Sequence, residues 1–205
     1  MGNSRTAIQV INDHISEAIS YQEYRELVQH LAQAHQTTGT LQTADLAQYT
    51  QLNDRRMRRW DKTLQFSEEA ITRITSVKQK ITWLVLTESW CGDASPALPV
   101  LHKVAEINPN ISVVILLRDA HLELMNLFLT NGAMSIPKLI AMDESQRKIL
   151  FTWGPRSSKA TALVAAHKQE HGELTPAFKE DLQVWYNRDK GQSILEDLLR
   201  LLPLE

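Results

Sequence analysis

The most constraining feature of this chain is an alternation of strand and helix patterns that begins near residue 81. Short, β-branched apolar runs predict buried strands, whereas apolar residues that recur every three or four positions predict helices. The predicted order is strand, helix, strand, helix, strand, strand, helix, over residues 81–88, 96–107, 111–119, 121–130, 138–143, 148–154 and 157–171. This order predicts an α/β fold with three layers, whose sheet has a parallel half and a closing hairpin.

The segment before residue 79 has no strand pattern and is predicted to be helical. Apolar residues recur at helical spacing in four stretches: Ala7 to Ile19, Tyr21 to Ala34, Leu46 to Leu64, and Ser67 to Val77. Short amphipathic helices need a partner surface to bury their apolar faces. We therefore expect residues 1–78 to form a helical N-terminal extension packed on a core domain of residues 79–205, which finishes in helices between Pro176 and Leu202.

Composition narrows the class of protein. A single cysteine in 205 residues excludes a disulfide framework and favours a reducing compartment, so we expect a cytoplasmic protein. The net charge of -2 gives no basic field, and no apolar run approaches the ~18 residues of a membrane span. We therefore expect neither nucleic acid nor a membrane as a partner.

The one cysteine lies in "LTESWCGDASPALPV", where a predicted strand meets a predicted helix. Pro99 is eight residues beyond Cys91, and the "SIP" that ends at Pro137 opens another predicted strand. These motifs and the element order together resemble the thioredoxin superfamily over about residues 81–171. The resemblance implies a thioredoxin-like fold, a chemical site at Cys91, and a cis peptide bond before Pro137 that turns the backbone groups of Ile136 toward an extended peptide.

Neighbouring residues are expected to set the reactivity of Cys91. Backbone N–H groups at the amino end of a helix favour an anion, and hence a thiolate. Trp90 would form an apolar wall beside the sulfur, next to Gly92 in the turn. Asp93 would oppose ionisation of the thiol, and Glu88 is the nearest candidate for the buried proton acceptor that the resemblance implies. Because these effects oppose each other, the sequence leaves the direction of the pKa shift open.

Ser95 has two alternative roles in the sequence. Ser95 followed by Pro96 is typical of an N-cap and a first helical residue, which would start the helix well beyond the cysteine and weaken the dipole effect. Alternatively, Ser95 lies one helical turn from Cys91 and would donate a hydrogen bond to the sulfur. In either case we expect Cys91 to be reachable by solvent.

Ala94 stands where the family usually carries a second cysteine, so no intramolecular disulfide can form. We therefore expect monothiol thiol–disulfide chemistry, in which Cys91 attacks a protein or small-thiol disulfide and an external low-molecular-weight thiol resolves the product. The alternative is a redox-inactive binding module that uses the Trp90 and Pro137 face. A third hypothesis is an iron–sulfur or glutathione-type carrier with one cysteine per subunit of a dimer. Neither a bound cofactor nor a metal ligand set is predicted.

Weaker patterns lie outside the motif. The pair His167 and His171 in "HKQEH" ends a predicted helix, where a cationic side chain complements the dipole, and we prefer this role to a metal site. The basic run from Arg55 to Arg59 is either a solvated helix face or a source of arginines for the Cys91 mouth. The leucine-rich stripe from Ile194 to Leu204 predicts either core packing or a homodimer contact.

Overall fold

The computed structural model describes residues 5–145 and 147–203. The α-helices are α1 (Ala7–His14), α2 (Tyr21–Gln33), α3 (Ala44–Thr63), α4 (Glu68–Ser76), α5 (Ala94–Ile107), α6 (Leu122–Asn126), α7 (Ser158–His171), α8 (Pro176–Asp189) and α9 (Gln192–Leu201). The strands are β1 (Ile19–Ser20), β2 (Ile81–Thr87), β3 (Ile111–Leu117), β4 (Lys138–Asp143) and β5 (Lys148–Trp153). Single 3₁₀ turns, Ile15–Glu17 and Arg118–Ala120, follow α1 and β3.

The strands form one mixed sheet in the order β1-β3-β2-β4-β5. β2 pairs in parallel with β3, from Ile81 opposite Ile111 to Thr87 opposite Leu117. β4 pairs antiparallel with β2 and with β5, which forms the closing hairpin. Nearly all of β2 is buried, as expected of a central strand covered on both faces. The predicted α/β class, with a parallel half and a hairpin, is confirmed.

Several predicted element bounds are wrong. The first helix ends at His14, and the chain then forms the short strand β1, where Ile19 pairs with Ile115. The helix predicted over residues 121–130 is only the five-residue α6. By contrast, the helices predicted between Pro176 and Leu202 are present as α8 and α9, and they are separate because Lys190 and Gly191 have φ values of 54° and 76°, in the left-handed region that ends a helix.

The helices before β2 share a core with the sheet. Tyr24 of α2 and Met57 of α3 are buried in the same apolar cluster as Trp83 of β2 and Leu98 of α5. These contacts supply the partner surface that the amphipathic helices require. The division of the chain at residue 78 remains a prediction.

The leucine-rich stripe of α9 faces the inside of the same chain. Ile194, Leu195, Leu198 and Leu199 are each at most 5% exposed. The structure therefore favours core packing for this stripe over a dimer contact. Among the described residues, no helix is long and apolar enough to cross a membrane.

Candidate functional site

The cysteine lies in a tight turn between β2 and α5. The Cys91 N–H donates to the Glu88 carbonyl at 3.1 Å, and the Ala94 N–H donates to the Cys91 carbonyl at 3.2 Å. α5 begins at Ala94, with Asp93 as its N-cap residue. Both expectations for Ser95 are therefore wrong: it lies inside the helix, and its hydroxyl donates to the Gly92 carbonyl at 2.8 Å instead of to the sulfur.

The thiol of Cys91 is covered and partnered. Cys91 is only 7% exposed, so the expected access to solvent is wrong. Its Sγ–H donates to the carbonyl oxygen of Ile136 at 3.2 Å. The peptide bond between Ile136 and Pro137 is cis, and both residues are buried. This carbonyl, which the resemblance assigns to an extended peptide, is thus occupied by the protein's own thiol.

Burial, together with the smaller effect of the nearby Asp93 carboxylate, raises the pKa of the Cys91 thiol to about 12. The backbone N–H groups of Ala94 and Asp93 and the guanidinium of Arg156 oppose this shift without overcoming it. The helix-start effect that favours a thiolate is therefore present, but loss of hydration outweighs it. At neutral pH the sulfur carries its proton.

Two distant segments cover the turn. Asp93 is paired with Arg156, whose Nη2 lies 2.6 Å from Oδ2, and it accepts a hydrogen bond from the Tyr186 hydroxyl at 3.0 Å. Burial raises the pKa of Asp93, and the charge of Arg156 opposes that shift. The Gln183 amide of α8 donates to the Gly92 carbonyl at 3.3 Å. We call this arrangement of Cys91, Gly92 and Asp93 under Arg156 and α8 the sulfur side.

The N-terminal helices support the turn from behind. The Ser89 hydroxyl accepts the Thr38 N–H at 3.0 Å and lies 2.8 Å from the Thr50 hydroxyl. The Asn53 amide donates to the Ser89 carbonyl at 2.9 Å. The loop over residues 35–40, which reads as a simple connection, therefore contributes buried hydroxyl groups to the site. Sequence reasoning missed these residues and also Arg156, Gln183 and Tyr186, because nothing local to them signals a long-range contact.

Glu88 makes its hydrogen bond away from the thiol. Its Oε1 accepts the backbone N–H of Asp119, at 2.8 Å, just beyond β3. Burial raises the pKa of the Glu88 carboxyl, and hydrogen bonds from Thr38 and Asp119 lower it in part. Glu88 therefore connects the motif turn to the end of β3, and among the described residues this carboxyl makes no hydrogen bond to the Cys91 sulfur.

The other side of the turn is open. Trp90 is half-buried, and the guanidinium carbon of Arg118 lies 4.8 Å from the centre of its ring. Arg118 also donates to the Met134 carbonyl at 3.3 Å. Thr130 and Ala133 form an isolated antiparallel bridge, and the residues that flank it, Leu129 and Met134, are 39% and 43% exposed. We call Trp90, Arg118, Leu129 and Met134 the tryptophan face.

The remaining candidates from the sequence make other contacts. Arg58 pairs with Asp54 at 2.6 Å, one turn away on α3, and Arg56 donates to Asn53 at 3.1 Å. These contacts agree with a helix-face role for the basic run. His167 stacks on Phe178 with ring centres 4.0 Å apart, which is a packing contact.

A family model described as Thioredoxin matches residues 39–170, a range that begins in the N-terminal helical segment. Two solved structures share the fold. A protein of unknown function from Pseudomonas aeruginosa has a TM-score of 0.58 at 18% identity, covering 73% of this chain and 83% of its own. An HIV epitope scaffold has a TM-score of 0.56 at 16% identity, covering 89% and 97%. No curated protein sequence matches significantly.

Proposed function

The chain belongs to the thioredoxin family, and we propose that it is a redox-inactive thioredoxin-fold module that binds an extended polypeptide segment on the tryptophan face. The observation that carries this proposal is the hydrogen bond from Cys91 Sγ–H to the Ile136 carbonyl at 3.2 Å, made by a thiol that is 7% exposed. That bond gives the cysteine a structural role. It joins the motif turn to the segment before Pro137.

The protonation state of the thiol supports this proposal. Thiol–disulfide exchange requires a thiolate that can reach a disulfide. With the pKa of Cys91 raised to about 12, roughly one thiol in 10⁵ is ionised at pH 7. The chain contains no second cysteine to resolve a mixed disulfide. Both requirements for efficient exchange are therefore poorly met.

The tryptophan face has the composition of a recognition surface. Arg118 lies over the Trp90 ring and donates to the Met134 carbonyl, so it links the ring to a segment whose methionine and leucine are exposed. Exposed apolar clusters with a polar rim are typical of interaction sites, and methionine adapts to partners of different shape. Because the Ile136 carbonyl is occupied, we expect side chains rather than a backbone ladder to supply most of the affinity.

Selection of displayed random peptides on the full-length protein tests the proposal. A selected peptide is titrated against the native protein and against Cys91→Ser, Met134→Asp and Trp90→Ala variants. We expect Cys91→Ser to retain the affinity, while each of the other two weakens it by about tenfold or more. Val184→Asp is the matched control, since Val184 is 46% exposed on α8.

If Val184→Asp weakened the peptide affinity as much as the other variants, the peptide would bind elsewhere and the proposal would be contradicted. The same would follow if Met134→Asp and Trp90→Ala bound the peptide as tightly as the native protein. Failure to select any peptide would count against it as well.

A second candidate is the monothiol chemistry, which the N–H groups of Asp93 and Ala94 favour because they lower the pKa of Cys91. It would require α8 to move away from the turn. The Cys91 thiolate would then attack a disulfide, releasing one thiolate and keeping the other sulfur as a mixed disulfide. An external thiolate would attack that mixed disulfide and release Cys91. Mass spectrometry after incubation with glutathione disulfide tests this: a stoichiometric adduct on the folded protein would favour the second candidate.

A further inference from the structure

A cluster of metal-binding side chains lies at the junction between the N-terminal helices and the sheet. His14 is the last residue of α1, Glu17 closes the following 3₁₀ turn, and His121 follows the end of β3. One ligand atom from each lies within 4.8 Å of the others. We call these three side chains the His–Glu corner. It is separate from the motif turn and from the tryptophan face.

His121 has the arrangement of a prepared metal ligand. Its Nδ1 lies 2.7 Å from the Leu117 carbonyl oxygen, which can only accept, so Nδ1 carries the hydrogen. In the neutral imidazole, Nε2 therefore presents a lone pair. The side chain is only 6% exposed, and Nε2 has no hydrogen-bond partner among the described residues. A backbone carbonyl that fixes the second nitrogen is the usual support of a metal-bound histidine.

The spacing of the corner suits a small tetrahedral ion. His14 Nδ1 lies 3.4 Å from Glu17 Oε1, and His121 Nε2 lies 3.4 Å from Glu17 Oε2. Neighbouring ligands in a tetrahedral zinc site, with bonds of about 2.0–2.1 Å, are separated by about 3.3–3.4 Å. The two imidazole rings meet edge to face with centres 5.1 Å apart, and the ligand atoms of all three side chains lie within 4.8 Å of one another.

Nearby charges also favour a cation. Arg5 bridges Asp13, the neighbour of His14, and Glu123, which lies two residues from His121. One guanidinium thus faces two carboxylates, and the Glu17 carboxylate adds a third negative charge. These described side chains, one guanidinium and three carboxylates, sum to a net negative charge.

We propose that the His–Glu corner binds a divalent transition-metal ion, with Zn²⁺ as the best match. Two imidazoles and one carboxylate are a ligand set that zinc accepts, and a tetrahedral ion would keep its fourth position for water or another ligand. Binding would fasten α1 to the end of β3. Sequence reasoning predicted no metal ligands because His121 lies more than one hundred positions from the other two residues.

Metal titration of the full-length protein tests this proposal. The protein is freed of metal with a chelator, and Zn²⁺ affinity is measured by competition with a chromophoric chelator. The reference background is His167→Gln with His171→Gln. These changes remove the other histidine pair in ring contact among the described residues, whose ring centres are 4.3 Å apart on α7. We expect one Zn²⁺ per chain in that background and a higher thermal midpoint with the ion bound.

Single variants then locate the ion. Glu17→Gln and His14→Ala remove ligands from exposed or half-exposed positions, and His121→Asn removes Nε2 while keeping a donor near the Leu117 carbonyl. Each should weaken binding by about 10- to 100-fold or more. His30→Asn, at an exposed position on α2, is the matched control and should leave the affinity unchanged.

Co²⁺ supplies an independent signature. A four-coordinate ion with nitrogen and oxygen ligands should give visible d–d absorption without a sulfur charge-transfer band, and Cys91→Ser should not alter it. The proposal is overturned if the reference background binds no Zn²⁺, since the corner would then be a histidine–carboxylate ion pair. It is equally overturned if the corner variants bind as tightly as the His30→Asn control, or if the Co²⁺ spectrum depends on Cys91.

Discussion

The two sides of the motif turn differ in how far other parts of the chain cover them and pair with them. On the sulfur side, Arg156 and α8 supply partners for the Asp93 carboxylate and the Gly92 carbonyl, and the Cys91 thiol is bonded to Ile136. On the tryptophan face, Leu129 and Met134 stay exposed, and Arg118 lies over a Trp90 ring that is half-buried. The chain therefore protects the residues that would perform redox chemistry and exposes those that could recognise a partner.

This difference has a physical cause. A buried carboxylate near a thiol is tolerated only if another charge and hydrogen bonds compensate for its lost hydration. Arg156 and Tyr186 provide that compensation for Asp93, and they do so beside a Cys91 thiol that is itself buried. Protection of the acid and suppression of the thiolate are thus consequences of the same packing.

The largest expected effect comes from breaking the sulfur side. Asp93→Ala leaves the Arg156 charge and the Tyr186 hydroxyl without their shared partner, in a place where side-chain exposures are about a fifth or less. We expect the free energy of unfolding to fall by about 3 kcal/mol, as for other buried ion pairs that lose one member. Urea denaturation measures it.

Arg200→Ala is the control for that variant, because Arg200 pairs with Asp197 at 3.7 Å from a largely exposed position. It should cost less than about 0.5 kcal/mol. Equal losses in the two variants would show that the Asp93 cluster has no special role.

The next effect concerns pH. The pKa of Cys91 is raised from 9.0 to about 12 by burial, so between these values the unfolded thiol ionises while the folded one does not. The stabilisation from the neutral thiol is complete below pH 9.0 and is lost as pH rises. Relative to Cys91→Ala, the native protein should lose about 1.4 kcal/mol of stability per pH unit in this window.

Paired urea denaturation curves from pH 8 to pH 10.5 measure that difference, and the comparison with the alanine variant cancels the tyrosine and lysine titrations. A stability difference that stays constant over this range would mean that the thiol ionises as it would in water.

A smaller effect on stability is expected at Ser89, where residues of the N-terminal segment contact the turn. Ser89→Ala removes the acceptor of the Thr38 N–H and a neighbour of the Thr50 hydroxyl, both buried. We expect a loss of about 1–2 kcal/mol from these unsatisfied groups. Ser76→Ala, at a half-exposed position at the end of α4, should change the stability by less than about 0.5 kcal/mol. A neutral Ser89→Ala result would remove the proposed support from the N-terminal helices.

The smallest effect on stability is expected at the tryptophan face. Met134 is 43% exposed, so Met134→Asp should change the free energy of unfolding by no more than about 0.5 kcal/mol. The same variant should abolish most of the peptide binding. A large loss of stability would instead assign Met134 to the core, and the two sides of the turn would then no longer differ in the way described.

The sequence predicts elements better than it predicts contacts. The strand and helix order from residue 81 follows from local periodicity. The starts of α3 and α4 are local features too, because the Thr43 and Ser67 side chains accept backbone N–H groups of the first helical turn. β1 could not be predicted, because a strand of two residues is too short to show an alternating apolar pattern and because its pairing with β3 is long-range.

The site illustrates the same limit. The position of Cys91 and the opposing charge of Asp93 follow from the motif, but the direction of the thiol pKa depends on burial by residues that lie 65 and more positions further along the chain. No local pattern marks Arg156, Gln183 or Tyr186 as partners of the turn. The expected solvent access of Cys91 was wrong for this reason.

Alkylation of the single thiol tests the central claim most directly. The rate with iodoacetamide at pH 8 is measured for the folded protein and for the same protein in denaturant, with mass spectrometry to count adducts. Because the thiol is covered and its pKa is raised to about 12, we predict that the folded protein reacts at least ~10³-fold more slowly. A folded protein that reacts within about tenfold of the unfolded rate would contradict the account. It would support monothiol chemistry at Cys91 instead.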